Sequence, residues 1–314
     1  VNSPLRIAAI NFLNPAPLMW NFEHPPQAER LAERYTLESM TPSACARALA
    51  DNRADIGLIP IGALSTVPGL SILPGCTIAS LDAVRSILLV VRSDAEQRTD
   101  QEPDTVAPAH AEMVRIHKVA LDTASRTSAL YTKILFRKYW KRDPEFVQHA
   151  PDLDGMLEAA DAALLIGDPA LFALRDRAAR YQRTGQPLRY IDLGHLWHAA
   201  AGCVWVSAVW AARTEALAAL SASELRTVLD DFTQSRDAGL RNVPALVEEW
   251  SSRLRISPSI LQTYLSRNIH YVLDDAVEAG IGRFFADACE LGLMPQSPTL
   301  RWASEPVSAP AVHG

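Results

Sequence analysis

The sequence lacks the usual marks of a metal, redox or nucleotide protein. Its four cysteines, Cys45, Cys76, Cys203 and Cys289, form no C-x-x-C pair, and none stands beside a histidine at metal-ligand spacing. Buried thiols in a reducing compartment are the expectation. No Walker sequence and no G-x-G-x-x-G occurs, so nucleotide binding is unsupported. No apolar run approaches the roughly 18–20 residues of a membrane span. Positive charge is in deficit: 30 Lys and Arg against 36 Asp and Glu give a net charge of -6. That balance argues against a general nucleic-acid binder, yet leaves room for a local anion site built from arginines and helix N-termini. The opening stretch VNSPLRIAAINFLNPAPL carries Arg6 inside its apolar part and shows no secretory h-region or cleavage site. A cytoplasmic location is expected on that ground.

What is present is an ordinary globular composition, 48% hydrophobic and 21% charged, in a chain long enough for two domains and an undisulfided core. Short apolar runs alternate with helical patterns, which predicts an α/β protein with largely parallel sheet. Strands are expected at Leu5–Ile10, Asp55–Pro60, Ala83–Val91, Lys118–Asp122, Ala162–Ile166 and Val204–Ala211. Helices are expected at Ser43–Asn52, from about Ser128 to Trp140, from Pro169, and from Thr214 almost to Gly292. Between them, Ser93–Glu112 is rich in Asp, Glu, Gln and Pro and reads as a loop at a change of domain. The predicted division is one discontinuous lobe of residues 1–92 and 207–314 and a second lobe of residues 93–206. Two crossings between lobes make a hinge over a cleft, an arrangement suited to enclosing a small molecule.

Five segments carry candidate chemistry. In FLNPAPL, after the first strand, Asn14 either makes turn bonds to backbone or faces a ligand oxygen with its amide. Ser86 begins the long strand, as a satisfied core hydroxyl or as an active group; without a G-x-S-x-G elbow a serine hydrolase is weakly supported. DTASRTS at Asp122–Ser128 gathers hydroxyls and Arg126 where a helix begins. Such a loop is either a carboxylate or phosphate cradle or an ordinary cap. In IGDP, Asp168 is placed to cap a helix opened by Pro169, or else to face the cleft. His195 and His198 lie three apart with no further ligand nearby, which favours a structural pair over a metal site.

Taken in order, these segments resemble the chorismate dehydratase family of the futalosine route to menaquinone. The family pattern runs Y-L-N-T-x-P-L, D-[VI]-G-L-I-P, V-R-S, T-S-R-T-S and L-L-I-G-D-x-A-L. Here FLNPAPL stands at Phe12–Leu18, DIGLIP at Asp55–Pro60, SLDAVRSILL at Ser80–Leu89, LDTASRTS at Leu121–Ser128 and ALLIGDPAL at Ala163–Leu171. FFADACELGLMP at Phe284–Pro295 is similar to the family's closing helix. Two departures stand out. Pro15 replaces a hydroxyl residue, and AAGCVWVSAVWAAR at Ala200–Arg213 occupies a stretch the family fills with a T-G-L-P-F-V-F-A-like sequence.

The resemblance implies a two-lobed fold like the type II periplasmic binding proteins. It implies a hydro-lyase that converts chorismate to 3-[(1-carboxyvinyl)oxy]benzoate and water, with no cofactor and no metal. It implies Asn14 and Ser86 as the positions of substrate contact and catalysis and Ser125, Arg126 and Thr127 as the carboxylate clamp; Asp168, the one carboxylate among the motif positions, is expected at the substrate and is the alternative base. The expected partner is chorismate, a small anion, with neither nucleic acid nor membrane. Two alternatives keep the same cleft: a non-catalytic sensor for a small carboxylate, and the related enzyme that makes 1,4-dihydroxy-6-naphthoate.

Overall fold

The computed structural model describes residues 3–108, 110–124 and 126–304. Eleven strands form two sheets among these residues. In chain order they are β1 (Leu5–Ile10), β2 (Tyr35–Met40), β3 (Ile56–Pro60), β4 (Leu70–Ser80), β5 (Ile87–Arg92) and β6 (Lys118–Asp122). They continue with β7 (Glu145–His149), β8 (Ala162–Ile166), β9 (Leu188–Asp192), β10 (Trp205–Arg213) and β11 (His270–Leu273). The first sheet has the order β11-β4-β10-β3-β1-β2, the second β7-β6-β8-β5-β9.

Both sheets are mixed, which corrects the largely parallel expectation. β1 runs parallel to β2 and β3, and β6 parallel to β7 and β8. β5 and β10 run against their neighbours. Each of these two strands enters from the other sheet, β5 directly after β4 and β10 by way of the Leu193–Ala201 helix, rather than by a crossover within its own sheet that makes consecutive strands parallel.

Sheet membership also moves the first crossing. The sequence pattern put it at residue 92, with Ala83–Val91 as one strand. The strand instead begins at Ile87 and pairs with β8 and β9, so the crossing lies between β4 and β5. The cause is local: Arg85 sits at φ 67°, a left-handed conformation that a strand cannot contain. Asp192, fully buried, holds that turn by accepting from the amides of Val84 (3.1 Å), Arg85 (2.6 Å) and His195 (3.0 Å). The Arg85 guanidinium is tied to Glu102 at 2.7 Å and to the Gln101 carbonyl at 2.5 Å.

β5 then runs buried on both faces, as a central strand should. Ile87, Leu89 and Val91 join the main core, whereas Leu88 and Val90 pack with Met156, Leu157 and Tyr190 on the opposite face. Where β10 approaches the second sheet, Tyr131 stacks on Trp205 (centroids 3.9 Å apart, 23° between planes) and meets the edge of Trp197. Among the described residues no helix is long and apolar enough to cross a membrane.

Candidate functional site

The ends of β1 and β3 face the starts of two helices of the second sheet across a narrow cleft. Asn14, Ser86, Arg126 and Thr127 all line it, with Phe12, Ile78 and Ile87 as part of its apolar wall. Its cavity volume is about 50 Å³, which is room for a few waters rather than for a ring diacid.

Asn14 follows β1 at the head of the Ala16–Glu23 helix. Its amide oxygen is buried and finds no hydrogen-bond partner among the described residues. A buried acceptor left unpaired costs about 1–3 kcal/mol, so a donor supplied by a ligand would be welcome there. The turn-bond reading of this residue is not realised by its side-chain oxygen.

Ser86 lies in the crossing just ahead of β5 rather than at the start of the strand itself. Its hydroxyl is buried and accepts from the phenol of Tyr264 at 2.8 Å. Burial pushes the Tyr264 phenol well up, so it keeps its proton and acts as a donor. The Ser86 hydroxyl proton is therefore left for another acceptor. The Ser86 carbonyl accepts from Gly167 at 2.8 Å, which pins the crossing to the end of β8.

The loop after β6 supplies the cationic side. Asp122 folds it by accepting from the Ala124 amide at 2.8 Å, and burial pushes its carboxyl up. Ser125 lies outside the described residues. Arg126 is exposed at the start of the Thr127–Ile134 helix, which has no side-chain cap. Its guanidinium reaches across the cleft to the Thr66 hydroxyl at 3.4 Å, long for a hydrogen bond. Thr127 is buried, and its hydroxyl accepts from the Gly62 amide of the first lobe at 3.0 Å.

Asp168 does not cap its helix. The Gly167–Arg175 helix takes Ile166 as N-cap, with no side-chain cap bond, and Asp168 falls in its first turn. The carboxylate is drawn instead to the Leu13 amide of the other lobe, at 3.0 Å. It does not line the cavity. Burial raises its pKa to about 6, against the opposing pull of the Leu13 bond. Gly167 makes the approach possible. It sits at φ 59°, and a Cβ there would lie 2.6 Å from the Phe12 ring.

The histidine pair stands elsewhere. His195 Nδ1 lies 2.5 Å from Asp82, and His198 is exposed on the same Leu193–Ala201 helix. Among the described residues no group of three or more His, Cys, Asp and Glu side chains is gathered as a metal site would require. Burial pushes the Cys45 and Cys76 thiols up to about 12.

The site has members that sequence reasoning missed. Tyr264 lies 178 residues from Ser86, inside a stretch that reads simply as helix. Ser207 lines the cleft from β10, in the segment flagged only for its departure from the family pattern. The glycine of DIGLIP-IG, Gly62, had a detectable signal, since it stands two residues past a motif strand end.

The fold is that of the type II periplasmic binding proteins. The aliphatic sulphonate binding protein SsuA from Escherichia coli superposes with a TM-score of 0.62 at 13% identity, over 95% of this chain and 96% of that one. The alkanesulfonate-binding protein SsuA from Xanthomonas axonopodis pv. citri, bound to MOPS, gives 0.63 at 16% identity, over 95% of each chain. The CA3427 gene product of Candida albicans, described as exhibiting the generic periplasmic binding protein fold, gives 0.59 at 14%, covering 94% of this chain and 92% of that. At such identities the likeness concerns architecture alone. Sequence carries the narrower assignment: residues 5–290 match the menaquinone biosynthesis family (VitK2_biosynth), and the chain belongs to that family.

Proposed function

We propose that this chain is a carbon–oxygen lyase that dehydrates chorismate to 3-[(1-carboxyvinyl)oxy]benzoate within menaquinone biosynthesis, working in the cytoplasm. The observation that carries the reading is the meeting of Asn14, Ser86, Arg126 and Thr127, from three separate stretches of sequence, around one cleft. A hydroxyl donor, a guanidinium and an unpaired amide oxygen suit a molecule with two carboxylates and a hydroxyl.

The chemistry asks little of the protein beyond position. The ring proton at the ether carbon of chorismate is acidified through the diene by the ring carboxylate. Its removal puts negative charge on that carboxylate, where Arg126 and the Thr127 helix start would receive it. The adjacent C–O bond then breaks, hydroxide leaves with a proton as water, and the ring becomes aromatic. In this reading the enolpyruvyl carboxylate takes the ring proton, while Asn14 and Ser86 orient the substrate and hydrogen-bond the leaving hydroxyl. Asp168 is committed to the Leu13 amide and is assigned to holding the lobes together rather than to proton abstraction. Because the cavity is small, substrate enters only when the bonds across the cleft part.

Incubation of the purified protein with chorismate, followed by separation of aromatic products, tests the reading. Formation of the carboxyvinyloxybenzoate is expected, with Asn14→Ala lowering turnover by roughly a hundredfold through loss of one positioned group. Full activity in Asn14→Ala would remove the assignment. Binding without turnover would make the chain a sensor.

A further inference from the structure

β10 carries an irregularity where it crosses the cleft. Against β4, Trp205 pairs with Ser80 and Val206 with Ala79, but Ala208 pairs with Ile78. Ser207 is thus the extra residue of a bulge. Bulges re-aim a side chain and break the local ladder, and both effects are visible here. Ser207 and the next residue, Ala208, both line the cavity, which regular alternation forbids. The Val206 amide bonds instead to the Tyr131 hydroxyl at 3.2 Å, from the helix on the cleft's other side.

The Ser207 hydroxyl has a defined polarity. The indole N–H of Trp205, a donor only, gives its hydrogen to Ser207 Oγ at 2.9 Å. Trp205 is fully buried and stacked on Tyr131, so its indole does not turn away. Ser207 accepts at its oxygen, and its own proton is directed elsewhere; no acceptor for it stands among the described residues. Ser86 on the neighbouring wall is arranged the same way, fed by Tyr264.

We propose that Ser207 is a specificity-determining residue of this cleft, donating a hydrogen bond to a ligand oxygen, and that Trp205 is a positioning residue that aims it. The proposal rests on the reading of the cleft as a carboxylate site but not on the dehydration itself. It names a ligand contact within the Ala200–Arg213 stretch that departs from the family pattern.

The test compares the full chain with Ser207→Ala, Trp205→Phe and the double variant. Chorismate serves as substrate, and isophthalate, a planar aromatic dianion, as a calorimetric probe. Ser207→Ala should raise KM for chorismate and Kd for isophthalate by roughly tenfold, with kcat and melting temperature little changed. Trp205→Phe should weaken binding by a smaller factor. Because Trp205 acts through Ser207, it should add no further loss in the Ser207→Ala background, whereas a packing role would add its full effect there. Binding within twofold of wild type in Ser207→Ala, for both ligands, overturns the proposal while leaving dehydration intact. Weakened binding without any turnover of chorismate upholds the proposal and removes the dehydratase reading. A wild type that binds neither ligand overturns both.

Discussion

The two ends of the cleft are held in different ways. At the hinge, one fully buried carboxylate, Asp192, receives three backbone amides, and Arg85 is anchored to Glu102 and Gln101. Across the cleft itself the lobes share single bonds: Gly62 to Thr127 at 3.0 Å, Leu13 to Asp168 at 3.0 Å, and Arg126 to Thr66 at 3.4 Å. A multiply satisfied buried group is lost only with the fold, whereas a single bond needs only one replacement partner from water or ligand. The difference marks the cleft, rather than the crossing at Arg85, as the more weakly held junction between the two sheets, and Arg126 and Thr127 stand at that junction.

The sharpest way to break that contrast is Asp192→Ala, which strands three buried amides. It should cost roughly 3–5 kcal/mol of stability in denaturant titration. A hinge variant no less stable than wild type would erase the distinction.

Asp168 offers the next largest effect, through pH. Its carboxyl sits at about 6 in the folded state, above the ordinary value near 4. The folded form therefore binds the proton more tightly than the unfolded chain, and the stability this lends is full below about pH 4. It is lost as pH rises through about 6, a change on the order of 2 kcal/mol. Asp168→Asn keeps an acceptor for Leu13 but cannot ionise, so thermal melts from pH 4 to 7 should lose that slope. An unchanged slope would place the titration elsewhere.

Arg126→Gln should weaken chorismate binding by roughly tenfold, since a charge-assisted bond to carboxylate is lost. Stability should stay the same, because the guanidinium is exposed and its bond to Thr66 is long. Smallest of all, Thr66→Ala should leave stability within about 0.5 kcal/mol, an effect that calorimetric melting would resolve from the hinge variant.

Much of this arrangement was legible in the sequence. β1, β6 and β8 fall on the residues their apolar runs predicted, because each is buried along most of its length and bounded by turn residues. The strands that escaped detection are edges or interrupted. β2 is exposed at Thr36–Ser39, β7 is half-exposed, and β4 contains Pro74 and Gly75. The C-terminal helical stretch hides β11, four residues long. At the site, the motif positions converge on one cleft, but hydrogen-bond polarity was beyond reach. Whether Ser86 donates or accepts depends on Tyr264, a residue with no local signature. Asp168 looked like a cap because its spacing to Pro169 fits one; the tertiary pull of the Leu13 amide prevailed.

The strand order has a consequence for how the chain is made. The second sheet is contiguous, residues 87–192, and every strand it needs has been translated once β9 leaves the ribosome. The first sheet begins earlier but stays in two pieces, because β10 is the strand that joins β3 to β4. During vectorial synthesis the amino-terminal segments must therefore wait, with two naked edges, until some hundred and more residues later the joining strand emerges. The later-encoded half can close first; the gap between β3 and β4 closes only when Trp205–Arg213 slots into place, and the other edge of β4 waits for β11.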